Sequence, residues 1–267
     1  MIASVEDLVR CGLRDRRVRT LLDGADWYLV GSRAAGFGDG FSDWDTVLLT
    51  LTDVADEDTL AAASDEIFGI ARPDPHGAPT LALHSLWRQA HGVDIKILGP
   101  QARRRREAAA RVEWAFDLRH AVPLHLSGTD GESYRERVGA AFGQLSGVSA
   151  VEAYRAFRQS RNEAVATLPR ADEAIQAVTA AACVIHAAHF WMLAAGEPHP
   201  ADKWLLAALG PHADPAVVAT MQVVVDLRTS AGERFDAFWR LWEFVDERAR
   251  NYEIDSSVLA GSPFLKI

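Results

Sequence analysis

The stretch from Asp26 to Thr50 constrains the fold of this chain most strongly. An apolar run at residues 27–30 ends in Gly31-Ser32-Arg33, and a glycine-rich loop then leads into Ser42-Asp43-Trp44-Asp45 and a second apolar run. This pattern predicts two strands joined by a loop. Because successive side chains on a strand point to opposite faces, the two aspartates fall on one face and the tryptophan between them on the other.

The paired carboxylates predict a metal site at the mouth of the second strand. Hard oxygen ligands on one rigid face suit Mg²⁺ that carries the phosphates of a nucleotide. Gly31 lets the backbone approach a phosphate closely, and Ser32 adds a hydroxyl donor beside unpaired N–H groups. The alternative for Asp43 and Asp45 is a pair of surface acids at a strand end.

A third carboxylate, Asp94, lies in a later stretch with the pattern of a strand. Val93, Ile95 and Ile97 alternate with Asp94 and Lys96, so we predict a strand over residues 93–98 in which Asp94 faces away from the valine and isoleucines. The preceding residues 80–87 are predicted to be its hairpin partner.

The order of strand, Gly-Ser, loop, Asp-x-Asp and later carboxylate resembles the nucleotidyltransferase superfamily that includes DNA polymerase beta and the aminoglycoside nucleotidyltransferases. The resemblance implies that Asp43, Asp45 and Asp94 are catalytic and bind metal, with two Mg²⁺ ions expected. ATP or another nucleoside triphosphate would be the co-substrate. The sequence shows no Walker-type lysine loop, no Gly-x-Gly-x-x-Gly after a strand and no His-Glu-x-x-His.

Further nucleotide-binding residues are predicted on both sides of this motif. Gly31, Ser32, Arg33 and Lys203 are expected to hold the phosphates, and Ser42 is expected to orient Asp43 or Asp45. The segment at residues 199–205 looks like the substrate-binding helical domain of bacterial nucleotidyltransferases, in which a proline-containing segment ends in Lys-Trp-Leu. The alternative for Lys203 is a surface lysine beside a buried tryptophan.

The pattern along the chain predicts an α+β fold with two domains. We expect a helix over residues 5–22, strands near 27–31, 44–51, 80–87 and 93–98, and a helix near 57–69. From residue 102 onward nearly everything has helical spacing, and a last long helix near 233–251 carries an aromatic stripe that we assign to the core. The predicted domains are a small mixed-sheet nucleotidyltransferase domain at 1–101 and an all-α helical bundle at 102–267.

The amino-acid composition restricts the classes of partner that we expect for this chain. The formal net charge is −9, which argues against a long nucleic-acid substrate, and we interpret the arginine run at residues 103–106 as a solvated helix face. Because no apolar segment of about 20 residues and no leader pattern is evident, we expect a cytoplasmic protein without membrane contact. Cys11 and Cys183 are expected to be buried free thiols.

These observations lead to one prediction of function and two alternatives. We expect a Mg²⁺-dependent enzyme that moves a nucleoside monophosphate, AMP from ATP, onto a hydroxyl of a small molecule such as an aminoglycoside-like antibiotic. Asp94 would either bind the metal or accept the proton of the attacking hydroxyl. The first alternative is nucleotidylation of a protein or a tRNA end, and the second is a non-catalytic nucleotide-binding module. Sequence leaves the acceptor and the oligomeric state open.

Overall fold

The computed structural model describes residues 4–14, 19, 23–40, 42–52, 71–73, 79–82, 93–109, 111–128, 130–169 and 172–252. The chain divides into two compact units, Met1–Phe142 and Gly143–Ile267. The predicted helix at 57–69 and most of the predicted strand at 80–87 lie outside the described residues, as does the side chain of Cys11.

A mixed β-sheet forms the framework of the first unit. The strand order is β3-β4-β5-β2-β1-β6; β2 and β5 run parallel, and the other neighbours are antiparallel. The strands are β1 (Ala25–Leu29), β2 (Trp44–Thr50), β3 (Ala71–Pro73), β4 (Pro79–Ala82), β5 (Val93–Leu98) and β6 (Val122–His125).

The sequences of the strands match their places in the sheet. Every residue of β1 is buried, and in β2 all are buried except Asp45, which is the pattern of strands covered on both faces. The structure adds two strands that we did not predict, β3 and β6. Helical spacing after residue 102 predicts no strand there, but β6 lies at an edge of the sheet, where a proline is tolerated.

Among the described residues of the first unit, four helices precede, interrupt or follow the strands along the chain. They are α1 (Val5–Arg14), the single turn α2 (Gly31–Ala34), α3 (Pro100–Ala109) and α4 (Val112–Arg119). Helix α1 packs against β6, and α3 packs against β5. Because α3, α4 and β6 belong with the sheet, the division between the units falls at residues 142/143, later in the chain than the predicted boundary at 101/102.

The arginine run on α3 differs from the solvated face that we predicted. Arg103 and Arg106 are 5% and 8% exposed, whereas Arg104 and Arg105 are exposed. Arg103 donates a hydrogen bond to the Thr50 carbonyl (3.1 Å) and forms an ion pair with Asp130. The Arg106 guanidinium lies 4.6 Å from the centroid of the Trp114 ring. Half of the basic run therefore anchors α3 to its own unit.

The second unit is helical throughout its described residues. Helix α5 (Gly131–Thr167) begins in the first unit and ends in the second. The helices that follow are α6 (Glu173–Ala194), a 3₁₀ turn (Asp202–Trp204), α7 (Leu205–Leu209), a second 3₁₀ turn (Gly210–His212), α8 (Pro215–Val225) and α9 (Ala231–Asn251). Helix α6 packs against α7, α8 and α9. The mixed sheet followed by helices confirms the predicted α+β class.

Two features of the helical unit refine the predictions from sequence. Helix α9 begins with a capping box in which the side chains of Ser230 and Glu233 each bond to the other residue's backbone. Its aromatic stripe belongs to the core at Phe238 (0% exposed) but reaches the surface at Trp239 (38% exposed).

Helix α6 is long and apolar enough to span a bilayer, with a mean hydropathy of 1.6 over 18 residues, 44% of them buried. Our expectation that no segment has that length and character was wrong; the buried part packs as a core helix, and Cys183 in it is a buried free thiol.

Candidate active site

The topology brings the two halves of the predicted motif together. Strand β1 runs antiparallel to β2, so the end of β1 pairs with the start of β2, with Leu29 opposite Thr46. The Val30 N–H donates a 2.8 Å hydrogen bond to the Asp45 carbonyl. Gly31, the next residue along the chain, therefore lies beside the start of β2, where Asp43 and Asp45 are.

Two features of the structure at position 31 favour glycine over every other residue type. Its φ of +71° lies in the left-handed region, which side chains other than glycine rarely adopt. A Cβ at this position would lie 2.8 Å from Oδ2 of Asp45, well inside van der Waals contact. The backbone of Gly31 is thus packed directly against the carboxylate of Asp45.

The aspartates occupy the positions that alternation predicts. Trp44 is 3% exposed and fixes the start of β2, whereas Asp43 is exposed and Asp45 is half-buried. On the neighbouring parallel strand, Asp94 is the Cα partner of Asp45. The backbone register therefore aligns the third predicted carboxylate with the second, although the side chain of Asp94 is outside the described set.

The loop after Gly31 folds back on itself. The carbonyl of Ser32 accepts hydrogen bonds from the N–H groups of Phe37 (3.1 Å) and Gly38 (2.9 Å), and Ser32 is 7% exposed. A Cβ on Gly38 would come within 2.6 Å of the Arg33 side chain. The glycines of this loop therefore allow a close turn.

Arg33 and Ser42 have partners that differ from those we predicted. The Arg33 guanidinium donates to the Ser42 carbonyl from Nε (2.9 Å) and Nη2 (2.7 Å) and lies 4.3 Å from the Trp44 ring centroid. The Ser42 hydroxyl donates to the Asp39 carboxylate (2.9 Å) and accepts from the Asp39 N–H (3.0 Å). In these contacts both residues hold the loop in place; phosphate binding by Arg33 and the orienting of an aspartate by Ser42 stay predictions.

Asp117 of α4 is a residue that our sequence reasoning missed. The residue as a whole is half-buried, whereas its carboxyl group is enclosed by protein atoms. Burial raises the pKa of this carboxyl group to about 6; attraction to Lys96 opposes the rise, and repulsion from Asp45 adds to it. The sequence carries one signal for this residue, since Asp117 stands three residues after Trp114 and therefore shares its helical face.

Lys203 belongs to the second unit. It is exposed in the 3₁₀ turn Asp202–Trp204, with its Nζ 5.6 Å from the ring centroid of Trp204. The neighbouring Asp202 forms a 3.0 Å contact with Nε2 of His189. This 3₁₀ turn lies immediately before α7.

The carboxylates of the candidate site are suitable ligands for Mg²⁺, because this ion prefers carboxylate oxygens. Among the side chains that the structure describes, no group of three or more His, Cys, Asp or Glu is arranged to hold a metal ion. Asp43 and Asp45 supply two carboxylates, and Asp94 would be the third at its register position.

Comparison with known proteins gives likenesses to solved structures alone. No protein-family model and no curated protein matches the chain. A solved structure of a nucleotidyltransferase-like protein from Exiguobacterium sibiricum 255-15 is similar to it with a TM-score of 0.43 and 13% sequence identity, over 94% of this chain and 78% of that one.

Proposed function

We propose that the chain is a Mg²⁺-dependent nucleotidyltransferase that moves AMP from ATP onto a hydroxyl group of a small molecule. The observation that carries the proposal is the packing of the Gly31 backbone, at φ +71°, against the Asp45 carboxylate. A glycine that brings main chain to within contact of a strand-end carboxylate suits a site in which phosphate and metal meet.

Each residue has a role in this proposal. Asp43 and Asp45 would hold Mg²⁺, with Asp94 beside them, and the N–H and hydroxyl groups of Gly31 and Ser32 would bind the phosphates. Mg²⁺ held by these residues would polarise the α-phosphate and would neutralise the charge that develops on the leaving pyrophosphate. The acceptor hydroxyl forms a bond to the α-phosphorus, the bond to pyrophosphate breaks, and Asp94 takes the hydroxyl proton or helps to bind the metal.

The acceptor class belongs to the proposal as well. A net charge of −9 suits a small acceptor, including a cationic polyhydroxylated one such as an aminoglycoside, better than a nucleic acid. The phosphate role of Lys203 stays a prediction from the sequence.

Mass spectrometry of a transfer reaction tests the proposal. The protein is incubated with Mg²⁺, each nucleoside triphosphate in turn and a panel of aminoglycosides and other hydroxylated metabolites. We expect an acceptor that gains a nucleoside monophosphate, with release of pyrophosphate. Asp43→Asn and Asp45→Asn should each lower turnover at least ~10²-fold, the scale of losing a preorganised electrostatic contact. Full activity in both variants would refute the metal assignment.

A further inference from the structure

The Arg33 guanidinium contacts both residues that flank Asp43. It donates to the Ser42 carbonyl from Nε (2.9 Å) and from Nη2 (2.7 Å), so that two donors of one planar group point to a single oxygen atom. The same guanidinium lies 4.3 Å from the ring centroid of Trp44, which is buried at the start of β2. One side chain therefore holds the residue before Asp43 and the residue after it.

The other polar groups of Ser42 are bonded as well. Its N–H donates to the Asp39 carbonyl (3.3 Å), and its hydroxyl donates to the Asp39 carboxylate (2.9 Å) and accepts from the Asp39 N–H (3.0 Å). Ser42 is buried, which shields these bonds from water. Asp39 thus holds the N–H and the hydroxyl of Ser42, and Arg33 holds its carbonyl, which belongs to the peptide bond that leads into Asp43.

Gly38 packs against Arg33 and restricts the arginine side chain. A Cβ at position 38 would lie 2.6 Å from Cγ of Arg33 and 2.9 Å from its Cα. The Gly38 N–H also donates to the Ser32 carbonyl (2.9 Å), which closes the loop against the Arg33 backbone. Because a long side chain loses rotamer freedom when it is held in one geometry, the packing of this loop orders Arg33 before any ligand binds.

Asp43 depends on such support because its own side chain is exposed, whereas Asp45 is half-buried. Affinity falls when a binding group has to be ordered at the moment of binding, and it rises when the protein orders that group beforehand. The contacts of Arg33 with Ser42 and Trp44 fix the backbone on both sides of Asp43. They therefore limit the positions from which its carboxylate can approach a metal ion.

We propose that Arg33 is a positioning residue that clamps the residues on both sides of Asp43, so that the Asp43 carboxylate is oriented for a divalent cation. This inference rests on the proposed function, because it takes Asp43 as a metal ligand. Arg33 touches neither the metal nor the phosphates in this account; it acts through Ser42 and Trp44. The role differs from the phosphate binding that we expected for Arg33 from the sequence.

A double-mutant cycle on binding of the Mn²⁺–ATP complex tests the inference without relying on turnover. The dissociation constant is measured by titration calorimetry for the wild type, Arg33→Met, Asp43→Asn and the double variant. We expect Arg33→Met to weaken binding about tenfold, the lower end of the range for losing a group that orients a metal ligand. In the Asp43→Asn background the same substitution should change the affinity less than about twofold, because the carboxylate that Arg33 positions no longer holds the metal.

Arg135 of α5 offers a matched control within the same unit. Its Nε also donates to a carbonyl, that of Leu118 (3.0 Å), and its guanidinium lies 5.7 Å from the Tyr28 ring centroid. Arg135→Met removes the same kind of contact and should leave the affinity for Mn²⁺–ATP within about twofold of the wild-type value. Circular dichroism checks folding, and Arg33→Gln is a second neutral variant for the cycle if the methionine variant does not fold.

A pair of glycine variants tests the clamp without changing Arg33 itself. Gly38→Ala places a methyl group against the arginine and should weaken binding of Mn²⁺–ATP, as Arg33→Met does. A Cβ at Gly40 would meet no atom within 4 Å, so Gly40→Ala should leave the affinity unchanged. Equal affinities of the two alanine variants would count against the clamp.

The outcomes of the cycle distinguish this inference from the proposed function. If Asp43→Asn weakens binding of Mn²⁺–ATP at least ~10-fold but Arg33→Met has no effect, the role of Arg33 is wrong and the metal site stands. An equal loss of affinity in both Asp43 backgrounds would also overturn the inference, since Arg33 would then act on the phosphates or on the loop as a whole. Failure of the wild type to bind Mn²⁺–ATP, or of Asp43→Asn to reduce binding, would instead refute the proposed function.

Discussion

Replacement of Gly31 by alanine isolates the contact on which the candidate site depends. The substitution has two separable effects. The first is the left-handed backbone at φ +71°, which costs an L-residue about 1–2 kcal/mol. The second is the new Cβ, which would lie 2.8 Å from Oδ2 of Asp45 and would force that carboxylate to shift.

Gly36→Ala is the matched control for this substitution. Gly36 has a similar φ of +85°, but a Cβ there would meet no atom within 4 Å. Gly36→Ala should therefore lower the free energy of unfolding by about 1–2 kcal/mol, measured by urea denaturation, and Gly31→Ala should lower it by at least as much. Only Gly31→Ala should weaken Mn²⁺ binding, by roughly 10–100-fold, the range found when a neighbour that orients a metal ligand is lost.

Equal effects of Gly31→Ala and Gly36→Ala would refute the role given to the contact between Gly31 and Asp45. If titration calorimetry gives the same Mn²⁺ dissociation constant for both alanine variants, then the position of the Asp45 carboxylate does not govern metal binding. Equal loss of transfer activity in both variants would lead to the same conclusion, because backbone strain in the loop would then account for the effect.

Two further predictions concern the stability of each unit. Arg103→Met should lower the free energy of unfolding in urea by about 1–3 kcal/mol, because the Thr50 carbonyl loses a buried hydrogen-bond donor. Arg104 is exposed, and Arg104→Met should change the same free energy by less than about 0.5 kcal/mol. Equal effects of the two substitutions would contradict a stabilising role for buried Arg103. Burial lowers the pKa of His189 to about 4, so the folded state binds that proton less readily than the unfolded one, and stability is lost as pH falls from about 6.5 to 4. His189→Asn should reduce this acid-side loss by roughly 1–3 kcal/mol, and an unchanged pH profile of unfolding would count against it.

Local patterns in the sequence predicted the strand that carries Asp45. Alternation around Trp44 placed two aspartates at the start of a buried strand, and the structure has that strand at Trp44–Thr50. The glycine at position 31 is explained by the left-handed φ and by the contact with Asp45. Both features depend on residues within one short stretch of the chain, between positions 31 and 50. A local pattern in the sequence can therefore indicate them.

The features that we missed depend on pairing between distant segments. Val122–His125 forms a strand because it pairs with β1 at the edge of the sheet, within a stretch whose spacing predicts helices. The raised pKa of Asp117 follows chiefly from burial by segments distant in sequence, with a contribution from Asp45 on another element. The burial of Arg103 likewise follows from the Thr50 carbonyl and Asp130, neither of which is adjacent in sequence.

Binding of Mn²⁺ in the presence of ATP tests the central claim most directly. Electron paramagnetic resonance is used to measure free Mn²⁺ for the wild type, Asp45→Asn and the charge-matched control Asp23→Asn. Asp23 is exposed and precedes β1, whose other end adjoins the site. We predict that the wild type and Asp23→Asn bind the Mn²⁺–ATP complex and that Asp45→Asn binds it at least ~10-fold more weakly. Equal binding by all three proteins would contradict a carboxylate-anchored nucleotide at the start of β2.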